Sequence, residues 1–535
     1  MMMTIATNLP GLHDTLKSTL QCALRCVIVI SVIALRFDTS QATRLRDRDD
    51  LVIPTHNGRI RGVRVFLPTY DKVVDSYLGI PFAEPPVGHL RFRHPIPKEP
   101  WRDQEPYDAT KLPNACYHNP DMVWGDFYGA TMWNSPTRVS EDCLYLNVWV
   151  PKRHPRIRKS AVLVWIYGGG YYSGATTLDL YDGKLLAAMN DIIVVSIAYR
   201  VGALGFLTLD HPEAPGNAGL FDQLMGLEWV QQNIHNFGGD PKNVTIFGES
   251  AGGVSVSMHL LSPLSRAKFA RAVMQSGSAT ATWATHTMRE GRRRGVELGR
   301  LLHCDHPYDM DILAKCLRSK SVQEVVDEQW VSRGIIQFPF VPVIDGAFLT
   351  EHPQQTLKYG RFYKCPILIG SNLNEGAFFV IYELMDYYDL ERQSMNSQQF
   401  QASIDTLFYH YPQYPHEASK LVLDAIAFEY TNWLDPNDTY KNINALDKAV
   451  GDAYFTCAVN TFAHAYASAG EHVFYYYFTQ RYRSNPWPPW MGVLHGDEIL
   501  FAFGEPLKSS GNFTGGEKRL SRKMMQYWTN FAKTG

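Results

Sequence analysis

The motif Gly-Glu-Ser-Ala-Gly at residues 248–252 constrains the fold of this chain more than any other sequence feature. It directly follows the apolar, β-branched run 244–247 and leads into the apolar segment 254–261. A strand, a sharp turn and a helix in this order are typical of a nucleophile elbow, in which glycines permit close backbone approach and the serine hydroxyl stays exposed. The pattern therefore predicts that Ser250 is a nucleophile. The alternative is a glycine-rich helix start with a capping serine.

Short apolar runs alternate with longer helical patterns around this motif, as in a sheet of buried parallel strands. The runs occupy residues 161–166, 192–198, 244–247, 366–369 and 473–478. Between the second and third runs, segment 222–236 has apolar residues at helical spacing and ends at the stop signal 237–241. We predict an α/β-hydrolase fold, with a large, mostly parallel central sheet, helices on both faces, and the ligand site at the carboxyl ends of the strands.

Composition is that of a globular protein and excludes some classes of partner. The 535 residues are 45% hydrophobic and 19% charged, with a formal net charge of -2. This balance gives no overall field that would attract nucleic acid or an acidic membrane surface, so we expect no nucleic-acid partner. Without repeats, low-complexity segments or Gly/Ser linkers, residues 43–535 are predicted to form one domain.

The N-terminal region, residues 1–42, is predicted to be a signal peptide. Its apolar run, 22–35, is preceded by Lys17, interrupted by Arg25 and too short to span a bilayer. Small residues at 39–43 provide an exit site. The alternative is a cytosolic protein with an apolar first helix.

Cysteine and asparagine patterns favour export. Cys116 and Cys143 lie close together in a polar, turn-rich stretch. Cys304 and Cys316 do the same, so both pairs are predicted to form local disulfides. The predicted glycosylation sites are Asn437 and Asn512. A third acceptor pattern, at Asn243, opens a predicted strand and is a poorer site.

An oxyanion hole requires several unobstructed backbone N–H groups. Gly168, Gly169 and Gly170 follow the first predicted strand and could provide one set. Ala251 provides the N–H directly after the nucleophile. The alternative for the three glycines is a flexible turn.

The remaining members of a triad are expected in the chain order serine, acid, histidine. Glu375 follows the predicted strand 366–369 within a short loop, and His495 follows the strand 473–478. Spacing alone leaves other carboxylates and other downstream histidines open.

The segments SEDCLYLNVWVP, WIYGGGYYSG, FGESAGG, QSGS, FVPVID, NEGAFF and MGVLHGDEI resemble the cholinesterase branch of the type-B carboxylesterases. They begin at residues 140, 165, 247, 275, 340, 374 and 491. The resemblance extends from about residue 51 to residue 535. It implies a triad of Ser250, Glu375 and His495. It also implies an oxyanion hole formed by Gly169, Gly170 and Ala251.

The resemblance implies hydrolysis of choline esters, with acetylcholine cleaved to choline and acetate through an acyl-enzyme, and no metal or organic cofactor. It assigns choline binding to Trp133, Phe378, Glu249 and Tyr181. It assigns the acyl pocket to Phe338, Phe379, Trp283 and Ile336. It assigns a peripheral cation site at the mouth to Asp121, Tyr172, Trp330 and Tyr382. Ile336 stands where vertebrate members carry a second phenylalanine, so we expect measurable turnover of butyryl esters.

The last residues resemble an internal family segment, so further residues are expected beyond Gly535. By the same resemblance Cys457 should be unpaired here, whereas Cys365 has no assigned role. The family pattern also implies an extracellular enzyme, synaptic or at the cell surface, that forms a homodimer and is tethered to a membrane through the missing C-terminus. Two alternatives remain. The first is a carboxylesterase of broad specificity. The second is a non-catalytic adhesion protein of the same fold, which is less favoured because Ser250 is present.

Overall fold

A nine-stranded mixed sheet lies at the centre of this computed structural model. In chain order its strands are β1 (Val63–Leu67), β2 (Lys72–Pro81), β3 (Tyr145–Pro151), β4 (Ser160–Ile166), β5 (Ile193–Ile197), β6 (Gly239–Glu249), β7 (Arg271–Gln275), β8 (Ile367–Asn372) and β9 (Val473–Phe478). Their spatial order is β1-β2-β3-β5-β4-β6-β7-β8-β9. Strands β4 to β9 pair in parallel with their neighbours, and β1 to β3 add an antiparallel end. The predicted α/β-hydrolase architecture is confirmed.

The structure describes residues 49–101, 105–152, 159–384, 394–508 and 511–535. The predicted signal peptide, residues 1–42, lies outside this range. The chain divides into two units, Met1–Val52 and Ile53–Gly535, and the second contains the nine-stranded sheet. No helix among the described residues is long and apolar enough to cross a membrane.

Helices cover the sheet. The α-helices are Tyr128–Thr131, Lys184–Asn190, Gly202–Phe206, Ala218–Asn233, Ala251–Leu261, Met288–Leu301, Met310–Ser319, Val322–Asp327, Pro353–Lys358, Ala377–Glu383, Ser397–Leu407, Lys420–Tyr430, Thr439–Gly451, Cys457–Ser468, Asp497–Phe503 and Gly515–Thr534. The short strands outside the central sheet are Val52–Thr55, Gly58–Arg61, Tyr107–Asp108, Ala115–Cys116, Val139–Ser140, Thr208–His211, Ala214–Pro215, His286–Thr287 and Val343–Ile344. The π-helical turn Asp452–Thr456 joins two of the helices.

The predicted strands and the crossover helix are present for the reasons that the sequence indicates. All seven residues of β4 and all five of β5 are buried, as expected of strands covered on both faces. The crossover helix spans Ala218–Asn233, so it begins four residues earlier than predicted. It ends in the turn Ile234–Phe237 at Gly238, whose φ of 78° is the left-handed conformation that glycine adopts without strain.

Sequence analysis did not predict β7, which the structure places between β6 and β8. Its sequence, RAVMQ, begins with an arginine and ends with a glutamine, so only three apolar residues mark it. This strand matters for the site because Ser276, the residue that follows it, contacts the predicted catalytic acid.

Both predicted disulfides are present. Cys116 bonds Cys143 and Cys304 bonds Cys316. Within the described residues Cys365 and Cys457 are free thiols, the first buried and the second exposed.

Candidate active site

Ser250 occupies a sharp turn between β6 and the helix Ala251–Leu261. Its φ of 55° and ψ of -124° are an uncommon backbone conformation for a residue with a side chain. Its N–H donates to the Gln275 carbonyl at 2.8 Å, which attaches the turn to the end of β7. A Cβ on Gly252 would lie only 2.1 Å from the Ile166 carbonyl oxygen, so this position requires glycine. Packing against β4 and β7 therefore enforces the elbow predicted from the motif.

The glycine loop, residues 167–174, follows β4 and lies beside the elbow. Gly169 and Gly170 have φ values of 107° and 56°, which favour glycine. A Cβ on Gly168 would lie 3.0 Å from the Ser250 Cβ, so the loop passes directly over the nucleophile. In the part of the chain that the structure describes, the N–H groups of Gly169, Gly170 and Ala251 donate no hydrogen bond. Free donors beside a nucleophile are what an oxyanion hole needs.

Glu375 and His495 meet beside this turn. Glu375 lies in the loop after β8, is 2% exposed, and its Oε2 is 2.6 Å from His495 Nδ1. Its other oxygen, Oε1, accepts hydrogen bonds at 2.6 Å from the Ser276 hydroxyl and from the Asn372 N–H. These contacts fix the Glu375 carboxylate. Because Glu375 bonds Nδ1 of His495, Nε2 remains available to act as the base, which is the arrangement that a base–acid pair requires.

Two further residues, which sequence analysis missed, hold the Glu375 loop. Asp447, from the helix Thr439–Gly451, accepts from the N–H groups of Gly376 and Ala377 at 3.0 and 2.8 Å. The same carboxylate accepts from the Asn374 side chain at 2.7 Å. Asn374 in turn accepts from the N–H of Val493 at 2.9 Å, which joins the two loops that carry Glu375 and His495. The only sequence signal for these roles is the position of Asn374 next to Glu375.

His495 lies in an acidic environment. Its Nε2 is 3.1 Å from Glu249 Oε1, although the two groups are not aligned as a hydrogen bond. The Ser250 hydroxyl makes no side-chain hydrogen bond to any described residue. A third carboxyl group, Glu498, is buried near both and accepts from Gln275 at 3.1 Å and from Asn372 at 2.5 Å. Glu498 was not predicted, because nothing in the sequence distinguishes it from other carboxylates.

Burial and charge act in opposite directions on the pKa values of this cluster. Burial lowers the pKa of His495, but the charges of Glu249 and Glu375 outweigh it and raise the pKa above its ordinary value. Burial raises the pKa of Glu249, and the neighbouring His495 opposes that rise. Burial also raises the pKa of Glu498. The neighbouring charges therefore stabilise protonated His495, the form that it takes after it accepts a proton as a base.

A cavity of about 420 Å³ leads to Ser250 and His495. All four residues predicted for choline binding line it, namely Trp133, Glu249, Phe378 and Tyr181. Trp133 packs against Gly496, where a Cβ would lie 3.2 Å from the indole ring. An aromatic face and a carboxyl group thus border the same cavity as the nucleophile, a combination suited to a desolvated cation.

The residues predicted for the acyl pocket divide into two sets. Among the described residues, the cavity lining includes Phe338 and Phe379 but neither Ile336 nor Trp283. Trp283 lies behind Phe338, in edge-to-face contact at 5.3 Å between ring centres. Ile336 is buried, with a φ of 55° that is uncommon for a β-branched residue. Trp283 reaches the cavity lining through Phe338 and also through Phe455, whose ring stacks on Phe379.

The residues predicted for the peripheral site lie together at the outer part of the cavity. Asp121, Tyr172, Trp330 and Tyr382 all line it. The Tyr382 hydroxyl donates to Asp121 at 2.5 Å, and the rings of Tyr172 and Trp330 are 5.0 Å apart. Trp330 is 52% exposed, so this end is open to solvent.

Other predicted sites have the following positions. The described residues contain no group of three or more His, Cys, Asp or Glu side chains that could hold a metal ion. The predicted glycosylation sites Asn437 and Asn512 are exposed, and Asn243 is half-buried within β6, where its side chain contacts Arg271 at 2.5 Å.

Comparison with known proteins gives consistent matches along most of the chain. Residues 49–535 match the model of the carboxylesterase family. The chain is 48% identical over 490 residues to the acetylcholinesterase of Bungarus fasciatus, which covers 91% of this chain and 78% of that protein. The acetylcholinesterases of Electrophorus electricus and Danio rerio are 44% and 43% identical, each over 91% of this chain and 80% of the relative.

Proposed function

Because the chain belongs to the carboxylesterase family, we propose that it is a serine esterase that hydrolyses choline esters, acetylcholine first among them, to choline and the free acid. The observation that carries the proposal is the shared cavity, in which Trp133 and Glu249 lie beside Ser250 and His495. The same cavity provides a nucleophile and a site for a quaternary ammonium group.

The first half-reaction transfers the acyl group to Ser250. His495 Nε2 takes the hydroxyl proton as the serine oxygen attacks the ester carbonyl, and Glu375 stabilises the imidazolium through its 2.6 Å contact with Nδ1. The carbonyl oxygen becomes an oxyanion, to which Gly169, Gly170 and Ala251 donate. When the intermediate collapses, the ester C–O bond breaks and His495 gives its proton to the departing choline oxygen.

The second half-reaction restores the enzyme. Water gives a proton to His495 as its oxygen attacks the acyl-serine carbonyl, through a second oxyanion in the same hole. Collapse breaks the bond to the Ser250 oxygen, and the imidazolium returns the proton to that oxygen. Acetic acid leaves and ionises to acetate by releasing a proton to solvent, and the resting state is restored. Apart from the ester and water, these steps use only side chains and backbone groups of the protein.

Recognition of the leaving group rests on aromatic faces. A quaternary ammonium has no hydrogen-bond donor, so it is held by ring quadrupoles, with about 2 kcal/mol from a good desolvated contact. We assign this role to Trp133, with Phe378, Tyr181 and the Glu249 carboxylate around it. We assign the acyl group to the side of the cavity lined by Phe338 and Phe379.

The decisive experiment measures turnover of acetylthiocholine by the purified protein and by two variants. We expect Ser250→Ala to lose at least about 10⁴-fold in kcat. We expect Trp133→Ala to raise KM for acetylthiocholine with a much smaller effect on its uncharged carbon isostere. Full activity of Ser250→Ala would overturn the mechanism. Equal effects of Trp133→Ala on both esters would instead favour a carboxylesterase of broad specificity.

We further propose that butyryl esters are turned over at a lower but measurable rate. Isoleucine at position 336 leaves the Phe338 loop less tightly packed than a second phenylalanine would. Because tight packing limits the length of the acyl chain that the pocket accepts, a looser loop favours longer chains. The ratio of kcat/KM for acetylthiocholine and butyrylthiocholine tests this, with Ile336→Phe as the matched variant that should lower butyryl turnover selectively. An enzyme that cleaves only acetyl esters would contradict it.

We also propose that the enzyme acts outside the cell, at a synapse or a cell surface. The disulfides Cys116–Cys143 and Cys304–Cys316 support this, since such bonds persist in oxidising compartments. A homodimer is supported by an exposed apolar patch on and after the helix Lys420–Tyr430. The patch consists of Leu421, Phe428, Trp433 and Leu434. A membrane tether stays a prediction from the family resemblance.

A further inference from the structure

Five fully buried polar side chains connect the glycine loop to the far end of the helix Ala251–Leu261, called the nucleophile helix because it follows Ser250. They are Tyr171, Ser255, Gln223, His259 and Ser265, each 0% exposed. The Tyr171 hydroxyl lies 3.2 Å from Ser255 Oγ, which accepts from the Gln223 amide at 3.1 Å. His259 bonds Gln223 at 3.0 Å through Nε2 and Ser265 at 2.7 Å through Nδ1. The triad does not use any of these groups.

The hydrogen bonds among these five side chains can all be assigned one direction, from Ser265 toward Tyr171. Because the Gln223 amide nitrogen donates to Ser255, its carbonyl oxygen must accept from Nε2–H of His259. Nδ1 of His259 is then an acceptor for the Ser265 hydroxyl. The Tyr171 hydroxyl is placed to donate to the Met258 sulfur at 3.9 Å, and with that assignment Ser255 donates to Tyr171 at 3.2 Å. Burial lowers the pKa of His259 to about 3, which favours the neutral ring, with one donor and one acceptor nitrogen, that this arrangement uses.

Tyr171 itself directly follows Gly170 and has a strained backbone. Its φ is 63°, and with Gly169 and Gly170 it makes three consecutive residues in positive-φ conformations. Its carbonyl accepts from the Gly202 N–H at 2.5 Å, and its ring packs edge-on against Phe206 at 4.9 Å. These contacts hold the loop to neighbouring segments. The Tyr171 hydroxyl connects the loop to the middle of the helix Ala251–Leu261, at Ser255.

We infer that Tyr171 is a positioning residue, whose hydroxyl bond to Ser255 fixes the glycine loop relative to the nucleophile helix. The two sides of the oxyanion hole lie on these two elements, with Gly169 and Gly170 on the loop and Ala251 on the helix. A bond between them sets the spacing of the donors, and oxyanion stabilisation depends on donors held at the correct distance. This inference rests on the proposed function, because it assumes that an oxyanion forms at these groups.

The test compares Tyr171→Phe with the unmodified enzyme. We expect kcat to fall about tenfold with KM changed by less than about twofold, since the bond acts on the transition state and not on choline binding. We expect binding of a trifluoromethyl ketone analogue, which forms an oxyanion on Ser250, to weaken by a similar factor of about ten. Binding of tetramethylammonium should be unchanged. A purely structural role would lower the melting temperature and leave these ratios unaltered.

Three further variants make the result unambiguous. Ser255→Ala removes the same bond from the helix side, so it should reproduce the effect, and the double variant should be no worse than either single one. Ser255→Ala also tests the inference if the Tyr171→Phe variant does not fold. Tyr466→Phe is the matched control, because it removes a buried hydroxyl that bonds the Tyr363 carbonyl at 2.8 Å, away from the cavity. Unchanged kcat and analogue affinity in Tyr171→Phe, or strict additivity with Ser255→Ala, would overturn the inference.

Failure of the proposed function would give a different result. If the unmodified enzyme cleaved neutral esters but not acetylthiocholine, the choline-ester assignment would be wrong. The Tyr171 comparison would then be made with the neutral ester, because the oxyanion is common to all ester hydrolysis. Active sites in every sample are counted by stoichiometric reaction of Ser250 with a phosphorylating inhibitor.

Discussion

Glu249, the second residue of the elbow motif, lies where it can act on both the cation and the imidazole of the proposed reaction. Its carboxyl group lines the cavity beside Trp133 and lies 3.1 Å from His495 Nε2. The sequence motif accepts any residue at this position, so its role is visible only in the folded site. A carboxylate this close to a catalytic imidazole favours the imidazolium and also attracts a cationic substrate.

Glu249→Gln is therefore expected to shift the pH profile of kcat/KM. The unprotonated imidazole is the active form, so activity is lost as pH falls through the pKa of His495. Removing one nearby negative charge lowers that pKa, and the acid limb should move by about one unit to lower pH. The profile of acetylthiocholine hydrolysis between about pH 5 and about pH 10 measures this, because it brackets the pKa of His495, which its neighbours raise to about 9. Glu505→Gln, which removes a carboxylate paired with Lys508 instead, serves as the control. A shift to higher pH would contradict the proposed electrostatics.

At the scale of elements, the acid loop is held by a helix that is remote in sequence. Asp447 accepts three hydrogen bonds from residues 374–377 while lying on the helix Thr439–Gly451. Because Asp447 is buried, water cannot take its place as the acceptor for these donors. The position of Glu375 therefore depends on how that helix packs.

Asp447→Ala is expected to lower kcat at least about tenfold, because displacement of Glu375 misorients His495. It should also lower the free energy of unfolding by about 2 kcal/mol, since buried donors lose their partner. Steady-state kinetics and urea denaturation measure the two effects. Asp438→Ala, which removes the N-cap of the same helix, should lower the stability of the fold without changing kcat. If both variants lowered kcat alike, general loosening of the helix would explain the result.

The end of β5 is joined to the crossover helix by a buried ion pair. Arg200 contacts Asp222 at 2.8 and 2.7 Å through two nitrogens, and its backbone N–H adds a third bond at 3.0 Å. Both side chains are almost fully buried.

Asp222→Asn should lower the free energy of unfolding by about 3–5 kcal/mol, because it leaves the guanidinium buried without a counter-charge. Glu297→Gln, which breaks the exposed pair with Arg300, should cost less than about 1 kcal/mol. Denaturant titration of both variants tests the contrast. Equal small losses would show that the burial of Arg200 carries no such penalty.

The features that the sequence predicted are those with a local signal. The elbow, the glycine loop and the buried strands are consecutive residues whose pattern follows from backbone geometry, and the structure contains them. The roles of Ser276, Asp447 and Glu498 depend on contacts between segments more than 70 residues apart in the chain. A single sequence contains no signal for such contacts. The choline and acyl assignments needed family resemblance for the same reason.

At the scale of the whole molecule, the surface carries an apolar patch distant in sequence from the catalytic residues. Leu434 is 97% exposed and Leu421 79%, with Phe428 and Trp433 beside them in the chain. The rings of Phe428 and Trp433 are 4.9 Å apart, and exposed apolar side chains grouped in this way mark protein–protein interaction sites.

We expect the protein to dimerise through this patch. The double variant Leu421→Lys with Leu434→Lys should shift it toward monomer, because it places charge where apolar surface would be buried. Analytical ultracentrifugation over a concentration series measures the change, and catalytic activity per site should be retained. A control with Leu264→Lys, another exposed leucine, should leave the assembly unchanged. A native protein that is monomeric at all concentrations would exclude a dimer.

The distribution of the triad along the chain has a consequence for biosynthesis. Ser250 and Glu375 leave the ribosome well before His495, which follows Glu375 by 120 residues. Because the proposed base is the last of the three to be made, we expect the growing polypeptide to lack hydrolytic activity until residue 495 has been translated and folded. We expect proteolytic fragments that lack the segment around His495 to be inactive for the same reason. Esterase activity would thus indicate that the three segments carrying the triad have been assembled into one site.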